Sequence, residues 1–490
     1  MQSHDDMRPL VTAPRSPLHE EARCGTNGSL YFLLLAIAGC FLVRIPVLQH
    51  RFFDPDEFEH AHAAWCVFKG MIPYKDFFEH HTPLYYYALS PFFHWFRVDL
   101  SFESARHFLI FGRGLSLLLA FLSVLLIILI GRLWEDRNVG LGAGLFLVLQ
   151  PFFFHKNVEI RPDVLALPFF LGSLWFLLRG LARSTDRAKR SRVSFLAGGL
   201  CLGAAIMCTQ KMLFVLPGLL AGLGSWSLFA KTQPGPCSRM LSTVAFLLGL
   251  CISTTLTWAA FALHHGGAEL IANNFLLNAK WKHVSHEQLL RLMETSWPAL
   301  ILSLLGASTY LYRFFRSEKR QYGGFLLLSI LFGLIVGILI VPGAHRQYYL
   351  MLLPIVCLFA AKGLFVLLER AQKRARAWIL VLAMLPLAGL TVLDLHDTFK
   401  SRNDSQLARL RYVFENTEPT DVMMDGIEGT GVFRPHALYH FFLHAEILDM
   451  LPREQVDAYV NALESGKIRR NSKRGVAIAF TPKTRVQAVR

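Results

Sequence analysis

Residues 107–138 read HFLIFGRGLSLLLAFLSVLLIILIGRLWEDRN. His107–Ile130 is an almost unbroken apolar run, and Gly131–Asn138 is a short charged loop with two arginines. A helix rises about 1.5 Å per residue and a bilayer core is about 30 Å thick, so about 20 apolar residues make one crossing. This run is long enough, and the loop that stops it carries the kind of charge that stays in the cytoplasm.

The pattern repeats outward from there. Composition already favours lipid: hydrophobic residues are 53% of the 490, against about 45–50% in soluble chains, and charged residues 17%, against about 25%. We predict eleven membrane spans: Ser29–Leu48, His107–Ile130, Val139–Phe154, Val164–Leu181, Val193–Cys208, Met212–Ala230, Met240–Leu263, Trp297–Tyr312, Phe325–Ile340, Tyr348–Leu368 and Trp378–Leu393. With the N-terminus inside, the cytoplasmic loops read GRLWEDRN, ARSTDRAKRSR, KTQPGPCSR, RFFRSEKRQY and ERAQKRARA. Lysine and arginine concentrate on that side, so hydropathy and charge agree on an N-in, C-out bundle. The net charge of +15 is sorted by side rather than gathered for nucleic acid.

The polar residues with chemical capacity then fall on the opposite face. Arg51–His81, RFFDPDEFEHAHAAWCVFKGMIPYKDFFEHH, follows the first span and gathers Asp54, Asp56, Glu57 and Glu59. His155–Asp163 (HKNVEIRPD), Thr209–Lys211 (TQK), the long loop His264–Ser296 and Val341–Gln347 (VPGAHRQ) join it. Ionisable residues pinned at the membrane surface are costly to keep without a use. Within the first loop, Glu57–Lys69 and the aromatic run Thr82–Phe96 are expected to be helices lying in the interface. Glycines at Gly140-x-Gly142-x-Gly144, Gly198/Gly199/Gly203 and Gly218-x3-Gly222 are expected to let helices pack closely.

The ends differ in kind. Met1–Asn27 is polar and reads as a cytoplasmic tail (domain 1–28), and the first apolar segment lacks a small-residue cleavage site, so it reads as an anchor. Residues 29–394 form the membrane domain. From 395 to 490 the chain alternates helix-like Leu407–Asn416 and Glu454–Ser465 with apolar strand candidates Asp421–Asp425 and Val476–Phe480. That alternation predicts a small external α/β appendage, marginal alone and therefore packed on the membrane domain.

The eight cysteines show no CxxC spacing and no disulfide framework. His60 and His62 are two apart and off one helix face, His80 and His81 are adjacent, and no thiol completes a tetrahedral set. No structural zinc site is expected, and Cys66 has no evident partner.

An Asp-Glu pair soon after the first span, followed by Pro83-Leu84-Tyr85 on an aromatic helix, resembles the C-type membrane glycosyltransferases (GT-C). The resemblance points to the branch of protein O-mannosyltransferases and the bacterial lipid A aminoarabinose transferase. Glu159-Ile-Arg-Pro-Asp163, Lys211–Pro217 and His345-Arg-Gln-Tyr-Tyr-Leu-x3-Pro354 agree in order and sidedness over about residues 30–394. Where the aminoarabinose branch has Lys-Pro-Pro, this chain has His80-His81-Thr82-Pro83-Leu84, which leaves the sugar open.

The resemblance implies a polyprenyl-phosphate-linked sugar donor, a hydroxyl acceptor on lipid, glycan or protein, and a site on the external face of a plasma membrane. A carboxylate must take the acceptor's proton, and positive charge or a metal must meet the departing phosphate. The resemblance assigns Asp56 as base, with Asp54, Glu57 and Asp163 as the other catalytic candidates. Lys211, Arg161, His345 and Arg346 are candidates for the phosphate, arginine being suited to bidentate oxygen recognition. A lysine or arginine at a span end also snorkels, the plain reading of Lys211 and Arg346. His80, His81, Tyr85 and Glu159 are candidates for sugar or acceptor contact, and Asp56 and Asp163 for a divalent metal. A polysaccharide polymerase or ligase, served by the long late loop, is the alternative. A transporter fits less well, because carriers place ionisable groups near the midplane and often show repeats.

Overall fold

The computed structural model describes residues 31 and 33–464, apart from 183–187, 232–234, 264–265, 279–285, 318–319, 342–343, 424–427 and 444. Lipid offers no hydrogen-bond partner to a bare backbone, so a spanning segment must satisfy itself as a helix. Among the described residues nine helices are long and apolar enough to cross: Leu33–His50, Phe102–Trp134, Pro162–Ala182, Lys189–Cys208, Gln210–Phe229, Pro236–Leu263, Glu287–Arg316, Tyr322–Ile340 and Lys373–Lys400. Each coincides with a predicted span.

The other two predicted spans take a different form, for local reasons. Val139–Phe154 is split into helices Arg137–Val148 and Pro151–Lys156. Pro151 has no N–H to donate and forces Gln150 into an extended conformation (φ −78°, ψ 123°). Tyr348–Leu368 opens with a tight 3₁₀ turn, Arg346–Leu350, before the helix Leu353–Arg370. Leu353 to Leu364 are all buried, so this helix is surrounded by protein rather than lipid. That accounts for Lys362 in its middle, whose Nζ pairs with Glu135 at 2.6 Å.

Glycines set the helix crossings. Apolar contacts alone give little drive for association in lipid, so close backbone approach matters. A Cβ on Gly199 would lie 1.9 Å from the Phe246 carbonyl oxygen, and one on Gly218 would lie 2.0 Å from that of Ser329. The same closeness joins Gly306 to the Leu353–Arg370 helix, where a Cβ would sit 2.0 Å from Phe359 O.

At one end of the bundle the loops build a second, aromatic core. The helix Pro55–Phe68 is buried from Glu57 to Cys66. Phe53, Phe58, Trp65, Phe77, Tyr86, Phe93 and Phe108 pack there with Leu410, Val432 and Phe433 from the C-terminal region. Helices Asp404–Asn416 and Arg453–Glu464 match the predicted pair. The strand expected at Asp421–Asp425 lies partly outside the described residues, and Met423 makes only an isolated bridge to His436. Among the described residues there is no named strand. Val476–Phe480, the basic C-terminal stretch and Met1–Asn27 lie outside the described residues. Gly429 sits at φ +73° against Phe58, where a Cβ would approach within 2.3 Å. Glycine alone tolerates both demands there.

Candidate active site

Asp54-Pro55-Asp56-Glu57 starts the Pro55–Phe68 helix, and the helix start sorts the three acids. Asp54 is the N-cap and accepts the Asp56 N–H at 3.2 Å, while Glu57 Oε1 accepts the Asp54 N–H at 3.0 Å. This is a capping box with proline at the first helical position. Glu57 is fully buried and grips Arg113 through two bonds of 2.8 and 2.6 Å. Its Oε2 also accepts the Ile160 N–H at 3.2 Å. Asp56 performs neither task. Its side chain is 36% exposed against 24% for Asp54 and 0% for Glu57.

The second loop supplies the counter-charge. Glu159 is fully buried and receives Arg51 at 2.6 Å, Lys156 at 2.9 Å and Arg161 at 2.9 Å. Burial opposes its ionisation, but Lys156, Arg161 and Arg51 outweigh burial and hold the carboxyl well below the usual range. Glu159 therefore lies beneath the site, where it aims Arg161, and not at a surface where a sugar would meet it. Arg161 donates to Asp56 Oδ2 at 2.8 Å and lies 3.4 Å from Asp54 Oδ1. Lys156 donates to Asp54 at 2.9 Å. Burial and Glu159 push the Asp54 carboxyl up, but Lys156 and Arg161 prevail and lower it.

Two further segments close in. Lys211, in the turn Gln210–Phe214, donates to Asp163 at 3.0 and 3.2 Å and lies 4.8 Å above the Tyr348 ring. It is buried and paired, not extended toward headgroups. Glu79 Oε1 accepts the His80 N–H (2.9 Å), the His81 N–H (3.0 Å) and His81 Nδ1 (3.0 Å). Gln210 and Asn278 both donate to the His80 carbonyl, at 2.8 and 3.0 Å. His81 reports the convergence. Burial first, then Lys211 and Arg161, depress its imidazole to about 3 against the opposing pull of Asp163 and Asp56. Charges from the first loop, the second loop and two span ends thus act on one ring.

Other expected contacts sit at the margin. Tyr85 is buried, and its hydroxyl bonds the Arg161 main chain. Arg346 donates to Gln288 at 3.0 Å and senses Arg291, Asp394, Glu159 and Arg51 rather than Asp163. His345 is exposed at the start of the Arg346–Leu350 turn. Sequence reasoning missed Lys156, Arg51, Glu79 and Tyr348, and gathered Glu59 with the first-loop acids without giving it a role. Burial first, then Glu79 and Asp56, push the Glu59 carboxyl well above its ordinary value, and His80 Nδ1 lies 3.6 Å away. For Arg113 a signal existed: a charge inside an apolar block needs a partner, and Glu57 is that partner. The Asp-x-x-Glu spacing with an intervening proline likewise announced the cap.

Two points concern metals. Lys211 bonds both Asp163 oxygens and Arg161 takes Asp56 Oδ2, so cationic nitrogens already sit where a divalent ion would bind three of these four oxygens. These residues fit a metal poorly. The expectation that Cys66 lacks a partner does not hold: its Sγ lies 3.3 Å from His62 Nε2 and 3.7 Å from His436 Nδ1. Residues four apart share a helix face, and His436 arrives from the distant C-terminal region.

Comparison with known proteins follows the same outline. A sequence search of curated proteins finds no match. The family described as Dolichyl-phosphate-mannose-protein mannosyltransferase matches residues 81–258, a stretch that includes Thr82-Pro83, Arg161, Asp163 and Lys211. ArnT from Cupriavidus metallidurans, solved bound to undecaprenyl phosphate, superposes with a TM-score of 0.62 at 13% identity over 88% of this chain and 91% of that one. The Archaeoglobus fulgidus oligosaccharyltransferase in complex with Zn and sulfate gives 0.53 at 14% identity, over 78% of this chain and 55% of its own. The archaeal oligosaccharyltransferase AglB from the same organism, with an inhibitory peptide and a dolichol-phosphate, gives 0.54 at 13% identity over 79% and 58%. The chain thus shares the fold of ArnT along nearly the whole of that protein, and the mannosyltransferase family match covers the spans that bracket the charged loops.

Proposed function

We propose that the chain transfers a sugar from a polyprenyl-phosphate-linked donor to a hydroxyl of a lipid, glycan or protein acceptor, with inversion, on the extracytoplasmic face of a bacterial inner membrane. The observation that carries this reading is the sorting of the acids. Asp56 is the most exposed of the three acids at the helix start, and the buried Arg161 is bonded to it. The polyprenyl phosphates named with ArnT and AglB support the donor class.

In this reading Asp56 takes the acceptor hydroxyl's proton as the oxygen attacks the anomeric carbon. The bond from that carbon to phosphate breaks, and its electron pair leaves with the phosphate. Lys211 meets the developing charge from a water-poor setting, where a fixed cation acts strongly. Arg161 holds Asp56 in position, and Glu159 and Asp163 hold Arg161 and Lys211. Inversion follows from attack opposite the departing phosphate, which needs base, acceptor and phosphate within a few ångströms. No step passes through a metal. Incubating purified protein with a panel of labelled polyprenyl-phosphate sugars tests the reading directly. Release of polyprenyl phosphate with one of them supports it, and inertness toward all, with hydroxyl acceptors supplied, removes it.

Lys211→Ala should lower kcat/KM for the donor by about 10–100-fold, the worth of a hydrogen bond to a charged group, with acceptor KM little changed. A loss confined to the acceptor would move the lysine away from phosphate. Orientation is tested at the two ends of the Lys373–Lys400 helix. In intact cells an impermeant thiol reagent should label Ser401→Cys and spare Lys373→Cys. The reverse pattern would put the site in the cytoplasm.

A further inference from the structure

Away from the charged cluster, the helix that carries Asp56 presents a second set of groups. His62 and Cys66 lie one turn apart on Pro55–Phe68, both buried. His436 reaches them from the C-terminal region, and the three ligand-capable atoms lie within 4.8 Å of one another. His62 Nε2 is 2.9 Å from His436 Nδ1 and 3.3 Å from Cys66 Sγ, and Cys66 Sγ is 3.7 Å from His436 Nδ1.

The surroundings orient the rings. His62 Nδ1 lies 2.8 Å from the Val432 carbonyl. A carbonyl only accepts, so Nδ1 carries the proton and Nε2 presents its lone pair inward. The His436 ring bonds the Asp76 main chain as well. Anchoring the outer nitrogen of a histidine to a carbonyl is how proteins aim the inner one at a metal. Trp65 and Phe441, with ring centroids 5.6 and 4.4 Å from His62, exclude water on two sides. A cavity lined by Glu59, His62, Val432 and His436 borders the cluster and admits a further ligand such as water.

We propose that His62, Cys66 and His436 bind one zinc ion, which clips the C-terminal region to the helix bearing Asp56. The geometry is close to what zinc asks. Bonds of about 2.0–2.1 Å to nitrogen and about 2.3 Å to sulfur in a tetrahedron put two nitrogens about 3.3 Å apart and nitrogen and sulfur about 3.6 Å apart. Each observed separation is within a few tenths of an ångström of these. One thiolate and two imidazoles suit zinc over magnesium or calcium, which favour oxygen. The site is separate from the Asp56–Arg161 and Asp163–Lys211 pairs, so it stands or falls independently of the proposed transfer.

The test uses full-length protein in detergent, stripped with a chelator and titrated with Co²⁺ as a visible stand-in for zinc. The wild type should bind about one equivalent, with tetrahedral d–d bands and a near-ultraviolet thiolate-to-cobalt band, both erased by adding Zn²⁺. Cys66→Ser should lose the thiolate band, and His436→Gln should weaken binding by about 10–100-fold or more, at least the scale of losing an outer-shell partner. Zn²⁺ should raise the unfolding temperature of the wild type and not that of Cys66→Ser. Absence of a thiolate band in the wild type overturns the site, as does a band that survives in Cys66→Ser. If Cys66→Ser does not fold, unchanged cobalt affinity in His436→Gln overturns it equally.

Discussion

Asp56→Asn should abolish detectable transfer, with a loss of about 10²–10⁴-fold in kcat, the usual cost of removing a general base, and leave a folded protein in the membrane. The helix start explains why the protein should survive. Asp54 supplies the cap and Glu57 the return bond, so asparagine at position 56 disturbs neither. It weakens one ion pair with Arg161, which keeps Glu159 at 2.9 Å and Asp54 at 3.4 Å as partners. Asp54→Asn is the informative companion. It weakens the ion pair to Lys156 but keeps an oxygen able to cap, so transfer should fall far less than in Asp56→Asn. Near-normal turnover by Asp56→Asn, measured as polyprenyl phosphate released, would move the base to another carboxylate.

Arg113→Met should destabilise the fold by about 3–5 kcal/mol, the cost of leaving a buried charge without its partner. Five hydrogen bonds radiate from the guanidinium: two to Glu57, and one each to the carbonyls of Leu48 (3.1 Å), Arg51 (2.8 Å) and Phe52 (3.0 Å). It also lies 3.8 Å from the Phe53 ring centroid. One side chain therefore ties the end of the first span to the helix start that displays Asp56. Thermal unfolding in detergent should show the loss. The double variant Glu57→Gln/Arg113→Met should recover part of it, because no uncompensated carboxylate remains. Equal losses in the single and double variants would mean that the carbonyl bonds, not the ion pair, hold this corner.

The long runs are legible along the chain because lipid imposes its rule locally. A segment in hydrocarbon must satisfy its own backbone, so Phe102–Trp134 or Tyr322–Ile340 declares itself without knowledge of its neighbours. Arg137–Val148 and Leu353–Arg370 are harder to read. Their apolar character answers to burial in protein, and hydropathy does not distinguish protein from lipid as the apolar neighbour. Composition likewise does not separate helices from strands in the C-terminal region, where Met423 makes only an isolated bridge to His436.

The sequence by itself determined that this is a polytopic helical membrane protein and which loops carry charge, because hydropathy and capping act over a turn or a span. It also located the acids at the start of Pro55–Phe68. What only the tertiary structure decided is which cation faces which acid. Arg161 meets Asp56 across 105 positions and Lys211 meets Asp163 across 48. His436 meets His62 across 374. Such pairings depend on glycine-set helix crossings and on a C-terminal region folded back over the first loop. A charge's partner is chosen by distance through space, and periodicity along the chain carries no record of it.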